Sequence, residues 1–200
     1  MSTAIPKTET YYAPDRAAWR AWLAENHLSS PGIWLIYFKK DSGKTRVSYD
    51  HAVEEALCFG WIDSTLNPID ADCYMQLFMP RKEKSGWSKL NKERVERLTA
   101  EGLMMPLGIE KVEIAKKLGN WTHLDHVESF TIPPELEALF KKHKSCRSYF
   151  ESLSAWNKKY ILYRLHNAKL PATRQKRMDE ITTAFLENRL PDRLVPKNKK

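Results

Sequence analysis

The chain is short of the features that usually announce a function. Its 200 residues hold three cysteines, Cys58, Cys73 and Cys146. They are odd in number and far apart, so neither a CxxC pair nor a disulfide framework can be read, and a reducing compartment is expected. The longest apolar run, Ile33 to Phe38, is six residues, against the ~20 that a bilayer-spanning helix requires. The first residues are polar, with Lys7 and Glu9, and lack the apolar segment of a secretory signal. A cytoplasmic protein without membrane insertion is therefore expected. No GxSxG, HExxH, GxGxxG or P-loop occurs, so the common hydrolase, protease and nucleotide-binding motifs are absent. No internal repeat is present, and low complexity is confined to the terminal lysines.

What is present suits a folded protein. The composition is 42% hydrophobic and 29% charged, enough to bury a core without staples. The net charge of +8 is unevenly placed: residues 141–200 carry 16 Lys+Arg against 5 Asp+Glu, and the remainder 17 against 20. Two readings stay open. One is an acidic partner for the C-terminal part: phosphate, nucleic acid or an acidic protein surface. The other is a solvated helical face ending in the Lys197, Lys199, Lys200 tail.

Hydrophobic periodicity orders the elements. Residues 8–12 suit a short edge strand. Trp19, Trp22 and Leu23 form the stripe of a helix that opens near Pro14 and ends near His27. Residues 33–40, rich in β-branched and aromatic types, suit a buried strand. Ser48 is placed to cap a helix carrying Val53, Ala56 and Leu57, and Gly60 to end it. Strands are predicted over 61–66 and 74–79, and helices over about 88–101 and 106–118. Residues 119–133 read as a linker. Helices follow over 134–144, 154–169 and 171–188, with only a turn around Phe150. The fold class is α+β, a small mixed or antiparallel sheet with packed helices, followed by a C-terminal helical subdomain. The predicted organisation is an α+β domain over 1–118, the linker, a helical subdomain over 134–190, and a basic tail over 191–200.

Two blocks carry a family resemblance. The first is Leu57-Cys58-Phe59-Gly60-Trp61-Ile62-Asp63 with Pro80-Arg81-Lys82, Ser85, Trp87-Ser88, Asn91 and Arg94. The second is Ala168-Lys169, Thr173-Arg174 and Arg177. Together they resemble the YdeI/OmpD-associated, or bacteriocin-protection, family over roughly residues 15–190. One departure is Met178, where a branched aliphatic residue is expected. The resemblance implies an envelope or antimicrobial-peptide-resistance setting, with no catalytic residues and no cofactor to carry over.

The residues supply four candidate sites. In the first, Arg81, Lys82 and Lys84 lead into a helix N-terminus, which favours anions, while Asn91 and Arg94 sit at the edge of that helix's apolar stripe. In the second, Trp61 and Asp63 share a strand face. Cys58, at a helix C-terminus, is a poor nucleophile, and Glu54 and Glu55 are expected to be solvated. In the third, His123, Asp125, His126 and Glu128 have metal-ligating types but lack a complete set. In the fourth, Lys169, Arg174 and Arg177 form a basic patch on helices where Trp156, Tyr160 and Tyr163 are expected as a core stripe. The leading reading is a non-catalytic domain in which Trp61, Asp63, Arg81, Lys82, Trp87, Asn91 and Arg94 hold a small anionic or polar ligand or a protein partner. Nucleic-acid binding through the C-terminal helices, or an enzyme with an unfamiliar site, remain alternatives.

Overall fold

A computed structural model describes residues 9–194. Thr8 of the predicted first strand and the lysines at 197, 199 and 200 lie outside the described residues. The chain divides into two compact units after His123.

The first unit runs β1 (Thr10–Tyr12), α1 (Arg16–Asn26), β2 (Ile33–Phe38), α2 (Tyr49–Cys58), β3 (Trp61–Pro68), β4 (Cys73–Pro80), α3 (Lys89–Ala100) and α4 (Pro106–Lys117). The sheet order is β1-β2-β4-β3. β1 pairs parallel with β2, and the other pairs are antiparallel. The architecture is thus the expected mixed α+β sheet. Opposed residues of neighbouring strands share a face. The register Leu35↔Gln76, Tyr37↔Tyr74, Asp63↔Phe78 and Trp61↔Pro80 therefore aligns those side chains on one side. Leu35, Tyr37, Trp61 and Phe78 on that face are fully buried, together with Trp19 and Leu23 of α1. Each such side chain contributes roughly 1.5–3 kcal/mol by leaving water.

The helix caps follow the sequence. Ser48 accepts from the His51 amide and Ser88 from the Asn91 amide. Gly60, at φ +73°, lets the chain reverse from α2 into β3. Gly108 permits close packing of α4 on α2: a Cβ there would meet the Cys58 carbonyl oxygen at 2.1 Å. The result is a central α2 whose residues 52–58 are all buried.

The second unit contains α5 (Asp125–Glu128), α6 (Pro134–Lys142), α7 (Lys144–Ser152), α8 (Ala155–His166) and α9 (Pro171–Leu186). Its core joins Leu136, Phe140, Cys146, Phe150, Ile161, Leu165, Met178, Ile181 and Phe185. Two expectations are corrected here. The predicted turn around Phe150 is a full helix, because Cys146 and Phe150, four residues apart, give it a buried side. Trp156 and Tyr163, predicted as core, are 65% and 46% exposed. α8 carries two apolar stripes, and the aliphatic one, Ile161, Leu162 and Leu165, is the one buried.

Candidate functional site

The predicted residues of the first unit separate into three groups. Trp61 is completely buried, and its indole N–H donates to the His27 carbonyl at 3.1 Å. Trp87 is also buried and lies under Arg81, whose guanidinium carbon is 3.7 Å from the ring centroid. Lys82 is exposed at the loop surface.

The second group joins α2 to α3. Arg94 is 8% exposed. It donates to Asp50 at 2.5 Å and to Asn91 Oδ1 at 3.0 Å. The third group is centred on Asp63, whose Oδ2 accepts from the Tyr49 hydroxyl at 2.8 Å and from Gln76 Nε2 at 3.2 Å. Burial and that hydrogen bond to Asp63 raise the Tyr49 pKa, so Tyr49 remains a neutral donor.

Arg81 differs from every other buried charge in the unit. It is 5% exposed, donates to the Gly86 carbonyl at 2.5 Å, and leaves its buried Nε without a hydrogen bond among the described residues. It has no ion pair with a described carboxylate, and burial lowers its pKa to about 10, partly offset by the charge of Asp63. The guanidinium stays charged near neutrality. A buried charge of this kind is costly until an anion or a full set of acceptors reaches it. A second orphan, the hydroxyl of fully buried Tyr37, lies on the sheet face that carries Asp63, with Tyr74 stacked on its ring at 5.1 Å. Asp63 acts electrostatically on both Tyr37 and Arg81.

Glu54 and Glu55 require a correction. They are 8% and 2% exposed rather than solvated. Helix α2 is enclosed on nearly every side, so its acids must be met by cations. Glu55 takes Arg16 and Arg20, both at 2.5 Å, and Glu54 takes Arg16 at 3.1 Å and Arg97. With both acids held in this ion-pair network, neither is a free acid–base group.

Cys58 is buried, and its thiol pKa is pushed up to about 11, chiefly by burial. Among the described residues, no group of three or more His, Cys, Asp or Glu side chains is arranged to hold a metal. An apolar cleft of about 390 Å³ between α3 and α4, lined by Val95, Met104, Ile109, Val112 and Trp121 among others, contains none of the predicted residues. Lys169 is exposed. Arg174 and Arg177 cap the end of α8, donating to the carbonyls of Leu165 and Arg164, and Arg174 also pairs with Glu135. Cations are favoured at that negative helix end.

Sequence reasoning missed Tyr37, Tyr49, Asp50 and Gln76. Gln76 had a signal, being the polar residue in an otherwise apolar strand, where a buried amide needs partners. Asp50 had none, since its partner Arg94 is 44 positions away.

Fold and site together define a mixed α+β protein with a buried, incompletely paired polar cluster and a separate helical unit. Residues 11–111, half of the chain, match the family model described as Domain of unknown function (DUF8412), and the chain belongs to that family. Residues 129–188 match the model described as Bacteriocin-protection, YdeI or OmpD-Associated. The resemblance expected over most of the chain is thus found over its C-terminal part, while the 58–94 stretch falls within the other match. No curated protein and no solved structure matches the chain. No helix among the described residues is long and apolar enough to cross a membrane.

Proposed function

We propose that the first unit is a binding domain for a small polar ligand bearing an anionic group, with Arg81 as the charge partner. The observation that carries this reading is the buried guanidinium of Arg81, without a carboxylate partner among the described residues and with Nε unsatisfied. Guanidinium binds carboxylate or phosphate through two parallel hydrogen bonds, which suits a planar group held against Trp87. Asp63, whose charge acts on Arg81, supplies a polar group near it, Trp87 the rigid ring under the guanidinium, and Lys82 an exposed flanking charge. The description of the family matched by residues 129–188 supports a setting in bacteriocin resistance.

The test is an NMR titration of the full chain with acetate, succinate and inorganic phosphate, following the Trp87 indole and the amides of residues 82–88. Saturable shifts with at least one anion, lost in Arg81→Met and partly kept in Arg81→Lys, are expected. Shifts that persist unchanged in Arg81→Met would remove Arg81 from the site, and no saturable shift with any of the three would end the proposal.

A second reading, nucleic-acid binding by the second unit, is favoured by the exposure of Trp156, stacked on Tyr160 at 5.4 Å beside Lys158 and Lys159. Exposed aromatic rings stack bases at about 1–3 kcal/mol each. Its test is fluorescence anisotropy with single-stranded DNA and RNA across a salt series. Affinity that falls with salt and drops in Trp156→Ala supports it, and binding absent at low salt contradicts it.

A further inference from the structure

We infer that the second unit holds a pocket for the phosphate group of a small phosphomonoester, built from Arg164, Thr173, Lys176, Arg177 and Arg193. This site is separate from Arg81 and does not depend on the reading given for it.

The cavity measures about 300 Å³, and four of its lining side chains are cationic against a single carboxylate, Glu180. Its position follows from helix geometry. Thr173, Lys176, Arg177 and Glu180 fall at i, i+3, i+4 and i+7 of α9 and so share one face. The core residues Met178, Ile181 and Phe185 of α9 face elsewhere. Arg164 joins from α8, and Arg193 from a short 3₁₀ turn at Asp192–Leu194.

Two of the arginines are already fixed. Glu180 accepts from Arg164 at 2.9 Å, which engages the pocket's carboxylate, and Arg177 donates to the Arg164 carbonyl. Lys176 and Arg193 have no ion-pair partner among the described residues. Four like charges around one concavity repel one another, and an oxyanion there converts the repulsion into charge-assisted hydrogen bonds. The Thr173 hydroxyl adds a neutral donor.

The surroundings select the rest of the ligand. A second cavity of about 470 Å³ shares Lys176, Glu180 and Arg193 with the first and adds Asp179, Thr183, Arg189 and Asp192. This neighbour balances acids and bases, so it suits a hydroxyl- or amine-bearing body rather than further phosphates. Asp179 and Asp192 would repel the next phosphate of a nucleic-acid backbone. The combination fits one terminal phosphate on a polar body.

The experiment uses the full chain, with inorganic phosphate, ribose 5-phosphate, ribose and a short thymidine oligonucleotide as probes. Binding is followed by calorimetry and by amide shifts. Ribose 5-phosphate should bind more tightly than phosphate, ribose should not bind, and the moving amides should fall in residues 173–180 and 192–194. The double variant Lys176→Ala/Arg193→Ala changes two exposed residues and should weaken binding about ten- to hundredfold, as expected for losing charge-assisted hydrogen bonds. The control pair Lys141→Ala/Lys142→Ala, also exposed, removes the same charge elsewhere on this unit and should leave affinity within about twofold. Three results would each overturn the pocket: no saturable binding of ribose 5-phosphate, equal loss in the control pair, or amides of residues 173–180 and 192–194 that respond more tightly to the oligonucleotide than to ribose 5-phosphate.

Discussion

The two units treat charge in opposite ways. All the polar and charged side chains buried among the described residues, Glu54, Glu55, Gln76, Arg81 and Arg94, belong to the first. The second carries most of the net positive charge and keeps the greater part of it near water. Its Arg147–Glu137 pair is 42% and 35% exposed at the two side chains, and Arg174–Glu135 is 35% and 30%. The difference separates two uses of the same residue types. A charge enclosed by protein must be matched by name and geometry, because each unmatched ion costs several kcal/mol. A charge at the surface is screened and tolerates loose partners. Arg81 stands out because it is enclosed in the first manner and matched in neither.

The comparison can be broken or sharpened by substitution. Glu55→Ala takes from Arg20 its carboxylate and leaves Arg16 only Glu54, and should cost about 3 kcal/mol in urea unfolding. Glu137→Ala, in the second unit, should cost at most about 1 kcal/mol. Equal costs would erase the distinction. Gly108→Ala drives a methyl group into the Cys58 carbonyl and should cost about 1–3 kcal/mol by overpacking, read by the same unfolding assay.

Cys58 gives a pH signature of the first unit's enclosure. Its thiol pKa is raised from an ordinary 9.0 to about 11 in the native state, mainly by burial. Over that window the unfolded chain has released the proton and the native chain has not. The contribution is therefore complete below about pH 9 and is lost as the pH rises towards 11. Cys58→Ala should flatten this decline in unfolding titrations between pH 8 and 11, whereas an unchanged slope would assign the decline to other groups. The smallest effect is expected from Trp156→Ala, within about 0.5 kcal/mol, because the ring is 65% exposed. A large loss of stability there would show that the aromatic ledge belongs to a core.

Much of this molecule was legible in the sequence where local rules decide. The Ser48 and Ser88 caps, the reversal at Gly60 and the buried run of β2 each depend on neighbours within a few residues. The mixed α+β class followed from their order. What failed depended on distance along the chain. Glu54 and Glu55 look like solvated helix acids until Arg16, Arg20 and Arg97 arrive from α1 and α3. Trp156, Tyr160 and Tyr163 have the spacing of a core stripe, but spacing cannot say which of two apolar faces the fold will choose. At the candidate site, Arg81 was visible as a basic residue beside a helix start. Its burial, and the lack of a matching acid among the described residues, became apparent only after β4 brought it over Trp87.

The most direct measurement is the unfolding free energy of the wild type and Arg81→Met, each with and without a saturating small anion. If Arg81 is a binding charge, Arg81→Met should match the wild type or exceed it by about 1 kcal/mol without anion, since a desolvated charge is removed. It should also lose the stabilisation that the anion gives the wild type. The contrary result is Arg81→Met destabilised by about 2 kcal/mol or more with the anion effect intact. That outcome would make Arg81 a strut holding the Gly86 carbonyl and would leave the first unit without its proposed site.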